Sequence, residues 1–229
     1  MKSKPFLFLI FLTPYVIFAQ QPIKQTNNQQ IKVKLANKAD TLQYSMGAIT
    51  GQWMEQNNFV VSNPALFSQG MNDVLQKKPL AIADSVIQKM ISEYQLTTQI
   101  ETNKLLEEQL FATLKEKTGV GILPNGVHYI IRRQGEGLRP SAKSIVLINA
   151  IGVLPDGTIF EDTYKKNQPI TAAISSLIPG LNEAVQLMPV GSVWRVFIPS
   201  ALGYGAQGLQ NLVPPYSALV YDIELIEIR

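Results

Sequence analysis

The sequence predicts an α+β protein, with a helical first half followed by a sheet wrapped on a single short helix. Three observations carry this expectation. Apolar residues recur at helical spacing, without a breaker cluster of more than a few residues, from Thr41 to about Leu114. Breakers then crowd together at Gly119, Gly121, Pro124, Asn125 and Gly126. Beyond them short β-type segments dominate to the C-terminus, with room for one short helix, and such a pattern belongs to the α+β class and not to a doubly wound one.

Composition sets the frame for the elements. With 229 residues, 46% hydrophobic and 16% charged, the chain has the balance of a folded soluble protein of one large or two small domains. It has no cysteine, which excludes thiolate nucleophiles, disulfides, Cys-type zinc sites and lipid attachment through an N-terminal Cys. The N-terminus "MKSKPFLFLIFLTPYVIFAQQ" places two lysines before an apolar run over residues 6–18, the pattern of a secretory signal peptide with cleavage after Ala19. Residues 1–19 are therefore expected to be removed, and the chain to be exported across the inner membrane to the periplasm. Without Lys2 and Lys4 the formal charge of +3 falls to +1, which is no nucleic-acid footprint. Residues 20–40, rich in Gln and Asn, read as a flexible mature terminus.

Three helices follow. Leu42, Met46, Ile49 and Trp53 make one stripe. A second helix starts after Asn63, with Pro64 at a favoured first position, and carries Leu66, Phe67, Gly70, Met71, Val74 and Leu75 on one face before stopping near Lys77, Lys78 and Pro79. Gly70 would let another backbone approach closely. A third pattern from about Ile82 to Leu114 lacks Gly and Pro and would be about 50 Å long if fully helical. Its apolar residues gather at the two ends (Val86, Met90, Ile91, Tyr94, then Leu105, Leu106, Leu110, Phe111, Leu114), and its polar middle reads equally as a solvated connector. One long helix cannot cover the apolar surface of the two short ones. Pairing with a second copy would, so residues 41–115 are expected to be a helical dimerisation domain.

The second half begins near residue 116. Its strands are "VHYIIRR", "SIVLINAIGVL", "SVWRVFI" and "ALVYDIELIEI"; Asp156-Gly157 signals a tight turn, and "PGLNEAVQLMPVG" is the one short helix, with Leu181, Ala184, Val185 and Met188 on one face. "GYGAQG" at residues 203–208 matches a dinucleotide-binding fingerprint, but that pattern works only where a helix N-terminus follows to receive the phosphates. Pro214 and Pro215 forbid one, and the next element is a strand, so no nucleotide is expected. The glycines read instead as a loop with unusual backbone angles around Tyr204. His128, in an alternating strand with no second histidine, reads as a surface or sheet residue, and Arg132 and Arg133 as a solvated edge.

The segments "IGVLPDGTIFEDT", "LIPGLNEAVQLMPVGSVWRVFIPSALGYGAQG" and "LVPPYSALVYDIELIEI", in this order, resemble the FKBP-type peptidyl-prolyl cis-trans isomerases over most of residues 120–229. "LQYSMGAITGQWM", "FSQGMNDVLQKKPL" and the long helix resemble the dimerising domain of the secreted Mip-like and FkpA-like members. The resemblance implies a bent antiparallel sheet around one short helix, a proline-binding apolar pocket between them, and a V-shaped homodimer. It implies proline-containing and unfolded exported polypeptides as partners, with an FK506-class macrolide as a possible inhibitor.

The residue inventory suits that chemistry. Rotation about an amide faces a barrier of about 18–20 kcal/mol, and X-Pro bonds isomerise unaided in tens to hundreds of seconds. A twisted amide has lost resonance polarity, so a water-poor apolar pocket favours it over the planar ground state, with one or two hydrogen bonds holding register. No cofactor, metal or nucleophile is required. The resemblance puts Phe160, Ile170, Leu177, Ile178, Leu181, Tyr204, Leu212, Val213 and Tyr221 on the pocket wall. It gives Ile178 a backbone N–H donated to a substrate carbonyl and Tyr204 a phenol hydrogen bond near the proline. Leu181 stands where many members have Trp, Tyr221 where they have Phe, Ala150 where Tyr is usual and Glu161 where Asp is usual. The last two break a pair that is ordinarily hydrogen-bonded, leaving Glu161 without its expected anchor. They keep open a second reading, a non-enzymatic chaperone or peptide-binding module on the same fold.

Overall fold

The computed structural model describes residues 33–229. The apolar run of residues 6–18, the cleavage point after Ala19 and the start of the polar segment lie outside the described residues. Among those described, no helix is long and apolar enough to cross a membrane. They divide into two compact units, one ending at Gly51 and one spanning Gln52–Arg229.

Helix α1 (Lys38–Gln56) begins three residues before the expected start, because Asn37 accepts the Asp40 N–H through its side chain (2.9 Å) and closes the first turn. Helix α2 (Pro64–Leu75) is capped as its sequence foretold, with the Asn63 side chain accepting the Leu66 N–H and Pro64 in the first turn. No described atom comes within 4 Å of a Cβ built on Gly70, so the close approach expected there is not seen within the chain. Helix α3 (Asp84–Lys115) is the expected long element. Phe59 lies between Trp53 and Tyr94 in a three-ring stack (5.5 and 5.2 Å), and the Tyr94 hydroxyl meets the backbone at Asn58 and Val60.

The polar middle of α3 is more than a solvated connector. Thr98, Ile100, Thr102 and Asn103 are half-buried. Towards the C-terminal end Asn103, Glu107, Phe111 and Leu114, spaced by four, four and three, lie against the sheet half of the unit, with Leu114 buried and the Phe111 ring edge-on to His128 at 5.0 Å.

Seven antiparallel strands form the sheet: β1 (Gly121–Ile122), β2 (His128–Arg133), β3 (Ile145–Val153), β4 (Ile159–Asp162), β5 (Ile170–Ala173), β6 (Val193–Ile198) and β7 (Leu219–Ile228). Their order is β1-β2-β6-β7-β3-β4, with β5 also on β3, and register shifts in β2, β3 and their partners bend it. Helix α5 (Pro179–Leu187) buries Leu181, Ala184 and Val185 against the concave face, and Met188 follows them inward. In β7, Leu219, Tyr221, Ile223 and Leu225 face this core and alternate with Val220, Asp222 and Glu224, as the period-two pattern required.

Three strands and a four-residue helix, α4 (Thr163–Lys166), were not foreseen. β1, β4 and β5 are two to four residues long, too short for periodicity to show. α4 is held by a local cap, Asp162 accepting the Lys165 N–H at 2.9 Å, and has no apolar stripe. The Asp156-Gly157 turn joins β3 to β4, with the Asp156 carboxylate accepting the Thr158 N–H. His128 is a buried sheet residue and not a surface one; its Nδ1 is 2.9 Å from the Gly126 carbonyl oxygen. Arg132 and Arg133 are exposed, as a solvated edge requires, and Arg133 also pairs with Glu224 at 2.7 Å and donates to the Gly191 carbonyl.

Candidate functional site

The pairing of β3 with β7 sets Gly152 opposite Tyr221, and its pairing with β4 sets Gly152 opposite Glu161, next to Phe160. The Phe160 and Tyr221 rings meet edge to face at 5.4 Å. They can close over Gly152 only because it has no side chain: a Cβ there would sit 2.6 Å from the Phe160 ring and 3.0 Å from that of Tyr221. Gly152 was absent from the sequence-derived site, although a glycine within an apolar strand is the signal of such an approach.

Phe160, Leu181, Val213 and Tyr221 belong to one buried apolar cluster, and Ile170, Leu177, Ile178 and Tyr204 pack against it while each keeps an open face. Leu212 is outside the buried cluster, half-exposed on the loop next to buried Val213. Burial, the Tyr204 hydroxyl and the charge of Glu161, in that order, push the Tyr221 phenol far above the ordinary tyrosine range.

Ile178 precedes α5 as its N-cap, with Pro179 in the first turn. Its carbonyl accepts the Leu181 and Asn182 N–H groups, while no described residue accepts its own N–H. A free backbone donor thus sits at the edge of an apolar surface.

Tyr204 is held by the loop that the three glycines shape. Gly205 and Gly208 have φ of 58° and 65°, and Gly208 N–H closes a turn onto the Tyr204 carbonyl. Leu209 and Val213 then pair as an isolated bridge, and the next regular element is β7, so no helix follows the glycines.

Ala150 is fully within the core, opposite Ile223, and donates its N–H to the buried Thr163 hydroxyl at 2.9 Å. Glu161 has found another anchor: its Oε1 accepts from Lys166 Nζ at 2.7 Å and from the Asp162 N–H at 3.2 Å. Lys166 lies five residues on, across α4, a spacing that only the unforeseen helix makes meaningful.

The arrangement can hold an apolar group against Phe160 and Tyr221 and offer it a backbone N–H and a phenol. It contains no nucleophile poised beside a base. Residues 137–226 match the family FKBP-type peptidyl-prolyl cis-trans isomerase, and residues 39–131 match the family described as the domain amino terminal to FKBP-type peptidyl-prolyl isomerase. The chain is 32% identical over 205 residues to the outer membrane protein MIP of Legionella longbeachae, covering 85% of this chain and 88% of that one. It is 30% identical over 191 residues to the FKBP-type 22 kDa peptidyl-prolyl cis-trans isomerase of Escherichia coli, covering 81% and 93%. The crystal structure of FkpA from Escherichia coli shares the fold, with a TM-score of 0.59 at 22% identity over 86% of this chain and 99% of that one. Similarity of this extent across both halves, joined to the site just described, makes the chain a member of the FKBP-type peptidyl-prolyl cis-trans isomerase family.

Proposed function

We propose that this isomerase acts on X-Pro bonds of exported polypeptides at the surface formed by Phe160, Leu181, Val213 and Tyr221. Ile170, Leu177 and Leu212 extend that surface, and the Ile178 N–H and Tyr204 hydroxyl hold the substrate in register. The observation that carries the reading is the free Ile178 N–H and the Tyr204 phenol flanking one apolar cluster. Desolvation there favours the twisted amide, while the two donors hold the substrate in register. A protease-free assay of cis-to-trans conversion in an X-Pro peptide tests it, and an FK506-class macrolide should compete. Tyr204→Phe removes one hydrogen bond, worth roughly 0.5–1.5 kcal/mol, so kcat/KM should fall by about tenfold or less. Glu161→Gln should change it little, because the carboxylate is engaged with Lys166 and not with a substrate-facing partner. Suppressed aggregation of an unfolded protein with no acceleration at high enzyme concentration would favour the chaperone reading instead.

The mature chain is read as starting at residue 20 and acting in the periplasm, with residues 41–115 as its dimerisation domain and 116–229 as its isomerase domain. Support comes from the apolar faces that α2 and the first turns of α3 leave open: Leu66, Met71, Val74, Leu75, Val86 and Met90 are all exposed. Residues 20–229 should sediment as a dimer. A monomer at micromolar concentration would overturn the dimer and leave the isomerase reading intact.

A further inference from the structure

The loop bearing Tyr204 is tied to the long helix at both of its feet. At the entering foot Glu107 Oε2 accepts the Ser200 N–H at 3.0 Å. At the leaving foot Asn103 Nδ2 donates to the Pro215 carbonyl at 2.8 Å, and Lys104 Nζ lies 4.6 Å from the centre of the Tyr216 ring. Asn103 and Glu107 are four apart, so one face of α3 reaches both feet.

Inside the loop the two feet are joined by backbone bonds. The Ser200 carbonyl accepts the Gly203 and Gly205 N–H groups, and the Gly205 carbonyl accepts the Tyr216 N–H at 2.8 Å. Tyr204 lies between Gly203 and Gly205 within this ring of contacts, which runs from Glu107 through Ser200, Gly205 and Tyr216 back to Asn103. Besides packing against the apolar cluster, Tyr204 adds its carbonyl, accepting the Gly208 N–H, so its backbone placement also depends on how firmly the ring is closed.

We infer that Asn103 and Glu107 are positioning residues for the isomerase reaction: the long helix holds the Tyr204 loop in its working geometry from outside the sheet. The inference rests on the proposed role of Tyr204. A carboxylate receiving a backbone N–H at the start of a short 3₁₀ turn is a strong, charge-assisted contact, and an amide on the other foot fixes the span. Both contacts are to loop backbone, so each side chain acts through the loop and not on substrate directly.

The test uses the full chain. Glu107→Ala with Asn103→Ala should lower kcat/KM for an X-Pro peptide by about three- to tenfold, chiefly in kcat, with the melting temperature of the sheet half little changed. Amide exchange at Ser200, Gly205 and Tyr216 should quicken while exchange in β6 and β7 stays slow. Glu107→Gln, which keeps an acceptor at the same reach, should restore activity to within about twofold of wild type when combined with native Asn103. Wild-type kcat/KM and unchanged loop exchange in the double variant would overturn the inference. So would a Glu107→Gln protein as impaired as Glu107→Ala, because the acceptor would then not be what matters. A wild-type protein without isomerase activity would instead defeat the function proposed above, and loop exchange alone would still decide whether the helix holds the loop.

Discussion

Phe160→Ala is expected to cost about 3 kcal/mol of stability and to lower kcat/KM on the order of a hundredfold, more than any single polar change at the site. The ring is buried, stands edge-on to Tyr221 and covers Gly152, so its removal opens a void down to the β3 backbone. Truncating a largely buried Phe typically costs about 3–5 kcal/mol, and the residual exposure of this ring keeps the loss at the lower end. Catalysis suffers beyond stability because water entering the void solvates the planar, polar amide better than the twisted one and removes the preference on which the reaction depends. Thermal unfolding and the protease-free assay separate the two effects. A variant that melts several degrees lower yet turns over at the wild-type rate would show that Phe160 is only a core residue.

Gly208→Ala should inactivate the Tyr204 loop. The residue has φ of 65°, where a side chain costs about 1 kcal/mol or more, and its Cβ would lie 2.3 Å from the Val213 carbonyl oxygen. The neighbour is backbone and cannot rotate away, so relief requires Gly208 and Val213 to part. That strains the two Leu209–Val213 backbone bonds, each 2.8 Å, and draws buried Val213 out of the apolar cluster. With roughly 1 kcal/mol for each bond lost, the total destabilisation is about 3 kcal/mol, localised in the loop. kcat/KM should fall more than tenfold while the sheet still unfolds cooperatively, and amide exchange across residues 203–216 should rise sharply. Wild-type turnover in this variant would separate the loop's geometry from catalysis.

Much of this molecule is determined by sequence alone. The α+β class, the three helices, the four long strands and α5 follow from local rules: apolar spacing, the Asn63 cap before Pro64, the Asp156-Gly157 turn and the breakers at residues 119–126. The glycines of "GYGAQG" were readable as a loop because two prolines exclude any helix after them, and Gly205 and Gly208 do lie in the left-handed region. What only the tertiary structure decided involves groups distant in the chain. Glu161 is secured by Lys166 because a four-residue helix turns the chain back, and no stripe or period announces so short an element. His128 and Arg133 are held by Phe111 and Glu224 across the fold. Asn103 sits in a polar stretch that reads as solvated and Glu107 just beyond it between Leu106 and Leu110, yet they meet residues 93 to 112 positions away at the loop feet. Periodicity records which face of an element avoids water. A polar side chain that satisfies a distant backbone group avoids it equally well and leaves no mark in the hydrophobic pattern, so its partner emerges only when the chain is folded.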